Sequence, residues 1–155
     1  MPNRSNSENH IITAIALGLH TGSDAIVNSA AFDLQGADSA EITVIAGAWD
    51  AGDTIAGSQV EIGLQHSDDT VSGNFVDVPD DLLSNTISGD STVSGGQASG
   101  VFAEVTAASD SKTVATDYLG NKRYLRTVTN TQENVSNGVP LTTILIKGHL
   151  NRKPA

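Results

Sequence analysis

Chemistry in this chain would have to come from four histidines, a few loop carboxylates and a late group of basic residues. His10, His20, His66 and His149 are widely spaced and show neither H-x-H nor H-E-x-x-H spacing, so no local metal site is specified. His66 continues the inward-facing positions of Gln59–His66, which predicts a hydrogen-bonded histidine in the core or at its rim. Carboxylates cluster at Asp50 and Asp53, at Asp68-Asp69, and at Asp77 with Asp80-Asp81. Calcium takes oxygen ligands in such loops, but the spacing matches no calcium-loop pattern, so these read as solvated turn residues. Serine and aspartate are abundant, yet the G-x-S-x-G elbow and the phosphate-cradling glycine loops are absent. Without cysteine, thiol catalysis is excluded. Trp49 and Tyr124 are the natural pieces of a carbohydrate platform, but aromatics make up only 4% of the chain, so packing is the expected role of both. The expectation is a protein without catalytic residues, metal or cofactor.

The basic residues that remain are Lys122, Arg123 and Arg126, then Lys147, Arg152 and Lys153. Their setting is unusual, because Ser5 to Ser111 contains 16 acidic residues and no lysine or arginine. Residues 1–111 carry a net −15 and residues 112–155 a net +5, giving the −10 of the whole. A field of that sign repels phosphate backbones, which argues against nucleic-acid binding. Two readings of the basic group stay open: salt bridges to carboxylates within the fold, or docking onto an acidic partner or sibling subunit. Arg126 and Lys147, on neighbouring predicted strands, are expected to share a face.

The elements that would carry these residues are strands. At 155 residues the chain suits one domain that needs no disulfide to fold. No apolar run reaches the length of a membrane helix, and Ile11–Leu19 is too short and weakly flanked for a signal peptide. The polar residues 1–10 are expected to form a flexible arm, residues 11–150 one β domain, and residues 151–155 a tail. In His10–Leu19 the period-two Ile11, Thr13, Ile15, Leu17 and Leu19 favour a strand over a competing helix. Ala25–Val27, Ala30–Leu34, Glu41–Trp49, Gln59–His66, Asn74–Val78, Val101–Val105 and Thr113–Thr116 also read as strands, with a turn at Thr21–Asp24. Glu41–Trp49 is expected to be apolar on both faces. In Gln59–His66, Val60, Ile62 and Leu64 should point inward while Gln59, Glu61 and Gln65 face water. Residues 84–100, rich in Ser and Gly, are expected to be a surface excursion. The core is expected in a hairpin of Tyr124–Thr129 with Leu141–Lys147, turned at Ser136-Asn137-Gly138. Ile144-Leu145-Ile146 marks its second strand as central. The class predicted is all-β, an antiparallel β-sandwich or a jelly-roll-like barrel.

Four segments occur in a telling order: Leu64-Gln65-His66-Ser67-Asp68-Asp69, Phe75 to Leu83, Gly120 to Arg126, and Ile144 to His149 with a closing Pro154. In this they resemble a family of small structural proteins of tailed bacteriophages that decorate, or cement, the capsid. The resemblance covers residues 40–155 and implies no active site. The Ser/Gly/Thr-rich stretch between Leu83 and Val101 departs from it. What it implies is a virion protein made in the host cytoplasm, bound to the major capsid protein on the outside of the head and self-associating, with a trimer favoured. Membrane and nucleic acid are not among the expected partners. The interface would draw on Lys122, Arg123, Arg126, Lys147, Arg152 and Lys153. The competing expectation is a carbohydrate- or receptor-binding module of a phage tail or fibre.

Overall fold

In the computed structural model, residues 11–49, 59–87, 89, 97–106 and 111–150 are described. They form an antiparallel β-sandwich with eight strands: β1 (Ile11–Asn28), β2 (Phe32–Asp33), β3 (Ala37–Ala46), β4 (Gln59–Ser67), β5 (Val76–Asp77), β6 (Val101–Thr106), β7 (Thr113–Tyr118) and β8 (Tyr124–Leu150). Among these residues the helical elements are two single 3-10 turns, Ser72–Asn74 and Asp80–Leu82.

The expected hairpin does not form. Tyr124 to Leu150 is one strand of 27 residues, and its two ends serve different layers. Its first half pairs with β4, from Ser67↔Tyr124 to Gln59↔Gln132. Its second half pairs with β3, from Ala46↔Leu141 to Ala37↔Leu150. One layer therefore runs β5 and β6, β4, β8, then β1 and β2, while the other runs β7, β3, β8, β1. The predicted turn at Thr21–Asp24 is likewise absent, because β1 passes through it and follows β8 from Ile11↔Lys147 to Asn28↔Val128.

The Ser136-Asn137-Gly138 signal has a different use. Between Val139↔His20 and Val135↔Gly22, β8 advances four residues while β1 advances two, so the extra residues form a bulge. Gly138 sits there at φ 87°, a left-handed backbone that glycine adopts without a Cβ clash. The bulge lies between the β4-paired and β3-paired halves of β8. Strands that change sheets at a sandwich corner bend by this device.

Ile42, Val44, Val60, Ile62, Leu64, Leu125 and Leu145 are almost fully buried between the layers. Each such aliphatic side chain contributes about 1.5–3 kcal/mol by leaving water. The inward set predicted for β4 is the observed one, and the stretch around Leu145 is central, flanked by β1 and β3. Three expectations need correction. Glu61 does not face water but is buried, on the face of β4 away from Val60 and Ile62. β3 is not covered on both faces, since the side that carries Glu41, Thr43 and Ile45 is open and Ile45 is 41% exposed. The strand expected at Asn74–Val78 shrinks to two residues, because the preceding turn takes up Asn74.

Candidate functional site

One end of the sandwich gathers the β2–β3 turn, the loop after β4 and the connection from β7 to β8. Between the β2–β3 turn and the β7–β8 connection lies an open cleft of about 500 Å³, lined by Leu34, Gln35, Leu119, Asn121, Lys122 and Arg123 among others. Its first wall is a tight turn in which Ala37 N–H donates to the Leu34 carbonyl at 2.9 Å and Gly36 takes φ 81°. The Asp33 carboxylate accepts from the Gln35 N–H at 2.8 Å, which fixes the acid at the mouth of the turn.

The floor is Tyr118, 1% exposed. Its hydroxyl accepts the Lys122 N–H at 3.2 Å and lies 2.9 Å from His66 Nδ1, so it ties β7 to β4 across the layers. Gly120 has to be small there, because a Cβ would fall 2.3 Å from that hydroxyl. Burial, with the nearby Lys122 charge, pushes the His66 pKa below its ordinary 6.5, against a smaller opposing pull from Asp68. Burial pushes the Tyr118 phenol upward. His66 is thus the hydrogen-bonded core histidine that its strand position predicted.

The basic residues separate into distinct settings. Arg123 grips Asp33 with two parallel bonds of 3.0 and 2.8 Å, donates to Gln35 Oε1 at 2.8 Å, and stacks over Tyr124. That grip lowers the Asp33 pKa to about 2, aided by the Gln35 N–H and by the charge of Lys147. Lys122 pairs with Asp68. Lys147 lies over the Phe32 ring, 5.2 Å from its centre. These three stand at the same end of the fold.

Among the described residues Arg126 stands apart and shares no partner with Lys147. It is 8% exposed, donates twice to Gln65 Oε1 (2.8 and 2.6 Å) and once to Ser72 Oγ (3.0 Å), and stacks on Phe75 at 4.4 Å. Burial lowers its pKa. Of the sequence candidates, Arg126 is a clamp on the turn after β4, and Arg152 and Lys153 lie outside the described residues.

The segments that carry the family resemblance hold one another. Gln65 bonds both Arg126 and Asp77, Asp68 pairs with Lys122, and Phe75 lies under Arg126. Asp80 accepts the Gly100 N–H at 2.8 Å, and Gln97 donates to the Leu64 carbonyl and to Asp77. The late flank of the 84–100 stretch is accordingly packed against β4, with Gln97 buried, while its early flank bonds β7 at Asp117 and Thr116. Asp69 is a turn residue, bonded to the Val71 N–H and to Asn74. Asp50 and Asp53 lie outside the described residues. The pivotal role of Tyr118 was not foreseen, since its partner His66 is 52 residues away and no spacing links them.

The fold and its site define a β-sandwich with a cationic, ion-paired corner. No protein-family model and no curated protein sequence matches the chain. Among solved structures, it is similar to the CBM22-1–GH10 modules of the Clostridium thermocellum endo-1,4-β-D-xylanase 10B, crystallised with xylohexaose. The identity is 10% and the TM-score 0.39, over 97% of this chain and 28% of that one. The chain thus spans under a third of the xylanase structure.

Proposed function

We propose that this chain is a non-catalytic structural protein of a virion, a capsid decoration protein that attaches to the outside of a phage head and stabilises the shell. The observation that carries the reading is the interlocking of the resembling segments: Gln65 with Arg126 and Asp77, and Asp68 with Lys122. The segments that carry the resemblance to cement proteins bond to one another here, as parts of one scaffold.

The shell-facing surface is the corner of Lys122, Arg123 and Lys147. Lys122 and Arg123 side chains remain 37% and 46% exposed despite their carboxylate partners. Exposed ion pairs contribute only about 0–1 kcal/mol, so exchanging Asp68 or Asp33 for an acidic group on the shell costs little. The remaining surface, fed by the acidic first two thirds of the sequence, faces outward.

The test is binding of purified protein to undecorated heads, comparing wild type with Lys122→Ala/Arg123→Ala/Lys147→Ala and with deletions of residues 1–10 or 151–155. Binding at least tenfold weaker in the triple variant, and weaker with rising salt, is expected. Binding that survives the triple variant and both deletions would remove this surface. The glycan-binding alternative needs an open aromatic face. Trp49, Phe75, Phe102 and Tyr118 are buried, while Phe32 and Tyr124 lie beneath Lys147 and Arg123. A blank glycan array is therefore the expected result.

A further inference from the structure

Every open sheet makes edges, and an edge presents unpaired N–H and C=O groups that another strand can take up. In this sandwich the edges are treated unequally. The outer side of β7 is closed: Leu83 bridges to Tyr118, Ser84 N–H donates to the Asp117 carbonyl at 3.1 Å, and Asn85 bonds Thr116. β6 is engaged at Val101 by the Ile87 N–H and at Glu104 by Lys112 Nζ. β5 is only two residues long. β1 differs, for among the described residues its ladder partner is β8 alone, along its whole length. Because β8 serves both layers, β1 is the border of both.

The last stretch of β1 is the part suited to pairing. Ala25 to Asn28 run in unbroken register with Thr131 to Val128, free of the bulges that interrupt the strand earlier. Ile26 is 38% exposed and Val27 46%. Successive strand residues point to opposite faces, so exposure of both means that neither face of this border is covered. Ala30 and Ala31, just beyond, are exposed as well. From Ala25 to Ala31 there is no charged residue, no proline and no lysine, the usual guards of an edge.

We propose that this border pairs with its own counterpart in a second copy of the chain, β1 against β1 in antiparallel sense about a two-fold axis near Ile26 and Val27. The occupant follows from the two observations above. A strand border is matched by another open border, and in a sibling the corresponding one is β1 itself. Two chains of net charge −10 repel over most of their surfaces, whereas this strip is neutral and apolar. A contact of one patch with the same patch closes as a dimer. A trimeric ring needs two different open edges to meet head to tail, and β7 does not offer one. The dimer rests on the proposed role as a structural protein only in giving that protein its assembly unit.

The experiment uses the full chain, with mass determined by light scattering and sedimentation equilibrium. Wild type is expected as a dimer, and Ile26→Lys/Val27→Lys as a folded monomer. Val71→Lys, at an exposed valine elsewhere (59%), should leave the dimer intact. Since the chain has no cysteine, Val27→Cys reports proximity without background. Directly opposed strand residues have Cβ atoms about 4.5–5.5 Å apart, near disulfide reach. Oxidised Val27→Cys should run as a covalent dimer and Val71→Cys as a monomer, an arm that stands even where the lysine variant fails to fold. A monomeric wild type, a dimer that survives the double lysine variant, or equal cross-linking at positions 27 and 71 would overturn the proposal. Capsid binding is read separately: a monomer that decorates heads refutes only the dimer, and a dimer that does not decorate refutes only the attachment.

Discussion

Removing one oxygen from the floor of the cleft is the sharpest perturbation available. Tyr118→Phe keeps the ring, its burial and its edge-on contact with His66, whose centroid lies 5.9 Å away. It deletes the hydroxyl that accepts from Lys122 N–H and meets His66 Nδ1. His66 is 6% exposed, so its Nδ1 loses its partner with little water to replace it. A lost hydrogen bond that leaves a buried partner unsatisfied costs about 1–3 kcal/mol. At about 2–4 °C per kcal/mol for a chain of this size, a 2 kcal/mol loss lowers Tm by about 4–8 °C. Calorimetry on both proteins gives the number directly, with urea denaturation at constant m-value as the cross-check. A second readout comes from pH. Burial holds the His66 pKa below 6.5 in the fold, so the unfolded chain takes up a proton first as pH falls. Stability is unaffected by this group above about pH 6.5 and declines below it, by at most about 1.4 kcal/mol per pH unit, until the folded imidazole also protonates. NMR titration of His66 should give a midpoint under 6.5. A variant within a few tenths of a kcal/mol of wild type, or a His66 midpoint above 6.5, would refute the claim that Tyr118 and His66 form a buried, neutral tie between layers.

Other substitutions test other joints. Gly63→Ala would place its Cβ 1.8 Å from Gln97 Oε1, expelling that side chain from its bonds to Leu64 and Asp77. The expected loss is about 1–3 kcal/mol, with hydrogen exchange accelerating around residues 97–101. Gly138→Ala meets φ 87° at the bulge of β8 and should cost about 1–2 kcal/mol in denaturant melts. Asp33 is held at about 2 chiefly by Arg123, so its contribution is present above the ordinary carboxylate range and is lost as pH falls through about 2. Carboxyl NMR should show that low midpoint rise toward 3.8 in Arg123→Gln.

What the sequence disclosed follows from how much of each element one neighbour decides. β4 was legible because its core side is a plain alternation of Val60, Ile62, Leu64 and His66. Ile144-Leu145-Ile146 was legible as a central strand for a different reason, a dense apolar run. The continuity of β8 was not, because Asn137-Gly138 supplies a positive φ that serves a turn and a bulge equally well. The choice is made by β1, which lies more than a hundred residues earlier and pairs straight across the gap. With β8 continuous, Arg126 and Lys147 lie in different halves of one strand and are not cross-strand neighbours, so their expected common face was lost with the hairpin. Glu61 carried the parity of a water-facing residue and is covered instead, which local pattern does not report. The His66–Tyr118 tie joins residues whose meeting depends on layer packing, and only the inward position of His66 hinted at it.

The central claim is attachment to a shell, and an image of the particle addresses it without intermediaries. Heads decorated with this protein, examined by electron cryomicroscopy, should show its sandwich on the outer surface in fixed stoichiometry, with Lys122, Arg123 and Lys147 turned toward the capsid. Heads that remain bare at saturating protein, or density found only on the tail, would contradict it.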